Sequence, residues 1–359
     1  MSETGWSRPP RFVVAIGAVL LIGFIVYLIR SALMPFALGI VIAYLLDPVA
    51  DWLERRGIGR GFATLFILIF FFGVVTFAIM TLVPLLGPQL GRLIQEFPGY
   101  LSRLSDMVSP MVNQALGFLD ENQVQDLQQA ATGYADVAAG WAWSLLQRVW
   151  AGGLALIDLI SLFVITPMVA FYMLRDFDKI VERLASLVPK PYLETVSMLA
   201  RESDQALGRF LRGQALVALL LAAYFAIALT LADLRFGLVI GIMAGLLNIV
   251  PFVGSIVGFT VSMSVAVTQF DSWVMWVVIA AIFVAGQVVE GNFITPRLIG
   301  DAVGLHPVWI IFALMAGGNL FGITGVMLAV PAAAVIGVVL RHSLARYRAS
   351  HFYVGSTKE

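Results

Sequence analysis

The chain contains no cysteine, which excludes disulfides, thiolate catalysis and cysteine-based metal sites. Charge is also scarce: Asp, Glu, Lys and Arg make up 12% of its 359 residues, against about 25% in ordinary soluble domains. The formal net charge is zero, so no overall field favours nucleic acid. The only histidines are His306, His342 and His351, and no H-E-x-x-H occurs, which rules out a zinc protease of that type. The three lysines, at 179, 190 and 358, follow Asp, Pro and Thr, so the chain carries no G-x-x-x-x-G-K-[ST] phosphate loop. Serine is common, but no G-x-S-x-G appears, and "GIGRG" at 57–61 reads as a turn between helices. No enzyme, cofactor or bound metal is expected.

What is abundant is apolar residues, 60% of the chain, with a mean hydropathy of +0.93. Uncharged runs at 12–29, 62–86, 214–232, 236–270 and 272–289 approach or exceed the roughly 20 residues that cross a bilayer. Run 302–340 does so with His306 as its one titratable residue, and run 151–174 with the single acid Asp158. Run 32–46 is short and carries Pro35, so it is a brief or tilted span. The expectation is an all-α, polytopic membrane protein of about eight transmembrane helices, forming one integral domain over 1–359. The run at 12–29 is followed by Arg30 and reads as a retained anchor rather than a cleaved signal.

Basic residues orient the spans. Placing Arg8, Arg11, Arg55, Arg56, Arg60, the seven from Arg175 to Arg212 and the C-terminal four inside puts 16 of 22 on the cytoplasmic face. Both termini are then cytoplasmic. Residues 87–148 form an extracytoplasmic insertion between spans 3 and 4. Leu90, Leu93, Ile94, Phe97, Leu101, Leu104, Val108 and Met111 recur there at helical spacing, as Leu127, Ala131, Tyr134, Ala138, Trp141 and Leu145 do further on. Residues 175–212 read as cytoplasmic connecting helices, interrupted by Pro189 and Pro191.

Two uncharged runs are too long for one crossing. Residues 236–270 and 302–340 would exceed about 50 Å as straight helices, against a hydrocarbon core of roughly 30 Å. Each is interrupted: the first by "NIVPFVGS", with Asn248, Pro251 and Gly254, the second by "GGNLFGITG", with Gly317, Gly318, Asn319, Gly322 and Gly325. They are either kinked helices or re-entrant hairpins, and such paired breaks point to a transport pathway. Gly237, Gly241 and Gly245, four residues apart, also suit close helix packing.

Glu290 follows 18 uncharged residues and shares a helical face with Gln287; Asn292 can join them where the helix ends before Pro296. This oxygen-rich set suits a proton, a sodium ion or a polyhydroxyl ligand, because intramembrane ionisable groups are costly unless used. The structural alternative pairs Glu290 with Arg297. Asp158 is a second proton or cation candidate, or a polar contact between helices. Asp47, before Pro48, reads as a helix-start cap. The pathway set is therefore Glu290, Gln287, Asn292, Asp158, Asn248 and Asn319, with breaks at Pro251, Gly254, Pro296, Gly300, Gly318 and Gly322.

"PFALGIVIAYLLDPVADWLERRGIGRGFAT", "NIVPFVGS" and "GQVVEGNFITPRLIGDAVGLHPVWIIFALMAGGNLFGITGVMLAVP" together resemble the autoinducer-2 exporter family of bacterial permeases, over nearly the whole chain. The resemblance implies eight transmembrane helices with a soluble region between the third and fourth. It implies a secondary transporter of the inner membrane, exporting a small polar solute such as the furanone-like signal autoinducer-2. Sodium or lithium/proton antiport is the rival, assigned to some members, and a non-transporting scaffold the alternative from another class. Gln287, Glu290, Asn292, Pro296, Gly300, Asn248, Pro251 and Gly254 occupy the matching positions. Expected partners are lipid, the solute and H+ or Na+; nucleic acid is not among them, and homo-oligomerisation is left open.

Overall fold

The computed structural model describes residues 33–115, 161–300, 306–350 and 353. Every regular element among them is helical. Helix α1 spans Leu33–Glu54 and α2 Arg60–Ala115. A π turn, Ser161–Ile165, leads into α3, Thr166–Ser186, and α4 spans Lys190–Leu231. Then follow α5, Gly237–Leu247, α6, Val253–Gln269, and α7, Trp273–Val289. A second π turn, Glu290–Ile294, carries α7 into the short α8, Thr295–Leu298; α9 spans Pro307–Arg348. Among the described residues, five stretches are long and apolar enough to cross a bilayer: Leu33–Glu54, Arg60–Tyr100, Lys190–Leu231, Trp273–Leu298 and Thr324–Arg348. The protein is a polytopic helical membrane protein.

Helix α2 differs from the sequence reading. The third span and the first amphipathic helix of the insertion are one rod of 56 residues, about 84 Å long. It passes through Pro84, Pro88 and Pro98. The apolar stripe read at Leu93, Ile94 and Phe97 is buried, against the same core that holds α4 and α6. Residues 175–212 likewise are the C-terminal half of α3 and the first half of α4, with Pro189 as the N-cap between them. Asp47 does not cap a helix start. Helix α1 runs on through Asp47 and Pro48, and Asp47 instead accepts from Arg60 Nη2 at 2.7 Å.

Both long runs fold back on themselves. At the first, Gln269 closes the base of a hairpin: its Nε2 donates to the Asp233 carbonyl at 2.6 Å and its Oε1 accepts from the Arg235 N–H at 2.7 Å. The limbs α5 and α6 meet so closely that a Cβ on Gly254 would lie 2.0 Å from the Ala244 carbonyl oxygen. Helix α5 has 11 residues and α6 has 17, about 16 and 25 Å, so neither limb spans a roughly 30 Å core unaided. At the second run, Gly322 adopts φ 61, ψ −139 and splits α9 into limbs Val308–Gly322 and Thr324–Arg348. A Cβ on Gly325 would fall 1.9 Å from the Gly317 carbonyl oxygen, so these limbs also lie side by side.

The glycine stripe seats the first hairpin on α4, as its spacing suggests. Cβ atoms on Gly237, Gly241 and Gly245 would lie 2.8, 2.3 and 2.0 Å from backbone atoms of Leu229, Ala226 and Ala222. Backbones this close gain dispersion over a long seam, which matters in a bilayer where apolar burial contributes little. Phe225 on α4 stacks on Phe283 of α7, centroids 4.6 Å apart, and closes the core.

Candidate functional site

The tip of the α5–α6 hairpin, Asn248–Phe252, is where the chain stops being helical. Helix α5 ends at Asn248, whose carbonyl has no helical donor; Gln214 Nε2 on α4 supplies one. Phe252 enters α6 at φ 70, a left-handed conformation that costs a non-glycine residue roughly 1–3 kcal/mol. The Asn248 side chain is fully buried, and its Nδ2 donates to Glu290 Oε1 at 2.9 Å. Ser255, in the first turn of α6, donates from Oγ to Gln287 Oε1 at 2.7 Å. Two residues of the tip region thus meet two residues at the end of α7, 42 and 32 positions away.

Depth follows from helix length. Gln214 lies 17 residues before the end of α4 and Glu290 17 residues after the start of α7, so each is about 25 Å from the hairpin base. Both estimates put the contact near the far side of a roughly 30 Å core. The π turn that opens with Glu290 is a one-residue insertion into the α7–α8 rod, a distortion frequent at functional sites. It also explains Pro296. The expected helix stop is absent, because the π turn sends the Thr295 N–H to the Glu290 carbonyl and the rod continues through Pro296 to Leu298. Gly300, at φ +57, ends it.

Two acceptors at the contact are left over. Asn248 Oδ1 and Glu290 Oε2 are buried and have no hydrogen-bond partner among the described residues. Buried acceptors without partners cost about 1–3 kcal/mol each, more when charged, so they call for a donor or a cation. The site can therefore hold a proton or coordinate a small cation or a hydroxyl-bearing solute between α5 and α7.

The other expected residues are placed differently. Asn292 does not join Glu290 and Gln287; it is exposed and its Nδ2 bonds back to the Val288 carbonyl at 2.9 Å. The helix does not end before Pro296, so Asn292, two residues after Glu290, stays on the opposite face. Arg297 is also exposed, 5.9 Å from the Phe293 ring, and does not pair with Glu290. Pro251 sits in the hairpin turn, but Gly254 belongs to the first turn of α6 and serves close approach rather than hinging. In α9 only Gly322 carries the reversal. Gly318 packs near Val326, its Cβ position 3.0 Å from that side chain, and Asn319 is exposed. Asp158 lies outside the described residues.

Gln214 and Ser255 complete the contact and had not been singled out. Gln214 is an amide opening an uncharged run, the same intramembrane polarity that marks Glu290. In the C-terminal half of α3, outside the candidate spans, a hydrogen bond from Arg175 holds the Asp176 carboxyl below its ordinary range.

The profile described as AI-2E family transporter matches residues 15–345. The chain belongs to the AI-2E transporter family. Among curated relatives, "Putative transport protein YrrI" of Bacillus subtilis (strain 168) is 31% identical over 326 residues, covering 90% of this chain and 89% of that one. "Putative permease PerM" of Escherichia coli (strain K12) is 25% identical over 328 residues, covering 91% and 92%. Membership in this family makes the protein a membrane transporter.

Proposed function

We propose that this AI-2E family member is a secondary transporter of the cytoplasmic membrane, with both termini inside, that exports a small polar solute. Glu290 handles the coupling ion, Asn248 orients it, and the hairpin tips of 236–270 and 302–340 shape the cavity. The reading is carried by the Asn248–Glu290 hydrogen bond, with two unpartnered buried oxygens beside it. Autoinducer-2 is the first solute to test, on the family resemblance. Lipid surrounds the protein, and the solute with H+ or Na+ are its small partners; homo-oligomerisation is compatible with this reading.

Sodium(lithium)/proton antiport is a second reading, favoured by the same pair of oxygens, since a carboxylate and an amide oxygen suit a small hard cation as well as a proton. The deciding experiment uses purified protein in liposomes loaded with a pH-sensitive dye. Sodium, lithium or potassium is added outside, comparing the parent with Glu290→Gln. Cation-dependent proton movement that Glu290→Gln abolishes establishes antiport. No response in either leaves solute export, checked next with labelled autoinducer-2; export that Glu290→Gln leaves untouched removes Glu290 from the mechanism.

A further inference from the structure

Helices α1 to α8 divide into two groups by the kind of contact that joins them, and α9 touches both α1 and α4. In the first group, α1, the start of α2 and α3 are tied rigidly. Arg60 bonds Asp47, Asp51 and Glu54 of α1 and the Leu174 carbonyl of α3. A Cβ on Gly39 of α1 would lie 2.8 Å from Val169 of α3. In the second group, α4 holds the α5–α6 hairpin by backbone contact and the α7–α8 rod through Gly213, whose Cβ position lies 2.7 Å from Ile299.

Between these groups, on the inner side, the contact is of another kind. Tyr44 of α1 donates to Asp204 Oδ1 of α4 at 3.0 Å, and Arg212 of α4 donates to the Tyr44 carbonyl at 3.3 Å. That carbonyl is available because Pro48, four residues on, has no N–H to give it. A crevice lined by Ala43, Asp47, Leu174, Phe177 and Asp204 opens beside the pair. Hydrogen bonds over a crevice can exchange for water, whereas the interdigitated backbones elsewhere cannot part without loss.

We propose that Tyr44, Asp204 and Arg212 form a latch that closes the inner side of the protein between the two groups and opens during its working cycle. Helix α2 is the joint that stays attached. Its start belongs to the first group through Arg60, and its outer part to the second through buried Leu93 and Phe97 and the Glu96–Arg235 ion pair at 2.9 Å. Between them Ile69, Phe70, Phe77 and Met80 face away from the protein. Arg212 and Gln214 are two residues apart on α4, so the latch and the Asn248–Glu290 contact hang from one helical turn. Opening the first exposes the neighbourhood of the second to the inner side. The working cycle rests on the transport reading; the latch itself does not.

The absence of native cysteine allows a direct test. Ala43→Cys places one thiol in the crevice, and inside-out membrane vesicles bearing the full chain are treated with a membrane-impermeant maleimide. Adding Tyr44→Phe or Asp204→Asn should speed labelling about tenfold or more; an unchanged or slower rate in both overturns the latch. Phe177→Cys serves as a second reporter if the first variant is not recovered in membranes. In proteoliposomes, joining Tyr44→Cys to Asp204→Cys with a bis-methanethiosulfonate cross-linker, which forms a disulfide with each cysteine and releases methanesulfinate, should stop transport, and reductant should restore it; transport that continues through the cross-link also overturns the proposal. If the parent transports none of the solutes or ions offered, the transport reading fails while the labelling rates still decide the latch.

Discussion

Asn248 is a fully buried amide in one of the most apolar parts of the chain, and each of its polar atoms has a distinct position. Its carbonyl is held by Gln214, its Nδ2 holds Glu290, and its Oδ1 is unpartnered. Truncation by Asn248→Ala leaves Glu290 Oε1 buried without a donor, at a cost of about 1–3 kcal/mol to the arrangement. Transport in proteoliposomes should fall tenfold or more while the protein still purifies as a folded species. At this scale the sequence shows isolated polar groups and not the contacts they make. Glu290, Gln287 and Asn248 stood out as polar groups in apolar surroundings, but their partners lie across the fold at Asn248, Ser255 and Gln214. Asn292, close in sequence, lies on the opposite face because the helix continues past it instead of ending before Pro296. Glycines can be sorted the same way. Gly245→Ala drives a methyl into the Ala222 backbone, and overpacking of this kind costs about 1–3 kcal/mol. Gly291→Ala meets nothing within 4 Å. Melting in detergent should show a clear drop for the first and almost none for the second.

At the scale of elements, the hairpins were legible as breaks because asparagine, proline and glycine interrupt two runs too long for a bilayer. Whether those runs kink or reverse was not, since the answer depends on contacts such as Gln269 with Asp233 and Gly317 with Gly325. The continuity of α2 ran against expectation. Pro84, Pro88 and Pro98 usually end a helix, and the apolar pattern changes character near them, so one rod read as a span followed by a second helix. The π turn at Glu290–Ile294 gives a prediction of its own. Deleting Gly291 removes the inserted residue and lets the rod continue as α-helix, which closes the π turn and re-aims the side chains within it while the flanking helices keep their register. Glu290 then loses Asn248. The variant should insert and melt within a few degrees of the parent yet show no dye response or solute export.

For the whole molecule, Arg60 is the fastening of the first group of helices. Removing it leaves Asp47, Asp51 and Glu54 facing one another without a cation, half exposed to solvent. Arg60→Ala should cost about 1–2 kcal/mol, a small network of partly screened pairs, and lower the melting midpoint by a few degrees. Arg60→Lys should recover only part of that, because an ammonium cannot reach three carboxylates and the Leu174 carbonyl at once as the guanidinium fork does.

The close seating of α5 on α4 also bears on how the protein is made. No charged residue lies between Arg235 and Asp271, so the emerging hairpin carries no signal for which way to face. Its first limb is too short to stay across a bilayer alone. Its resting place is the row of backbone atoms at Ala222, Ala226 and Leu229, which exists only once α4 is already in the membrane. The orientation of the hairpin is thus inherited from an earlier helix during synthesis, and a defect in α4 would be felt as a misplaced hairpin before any later segment had left the ribosome.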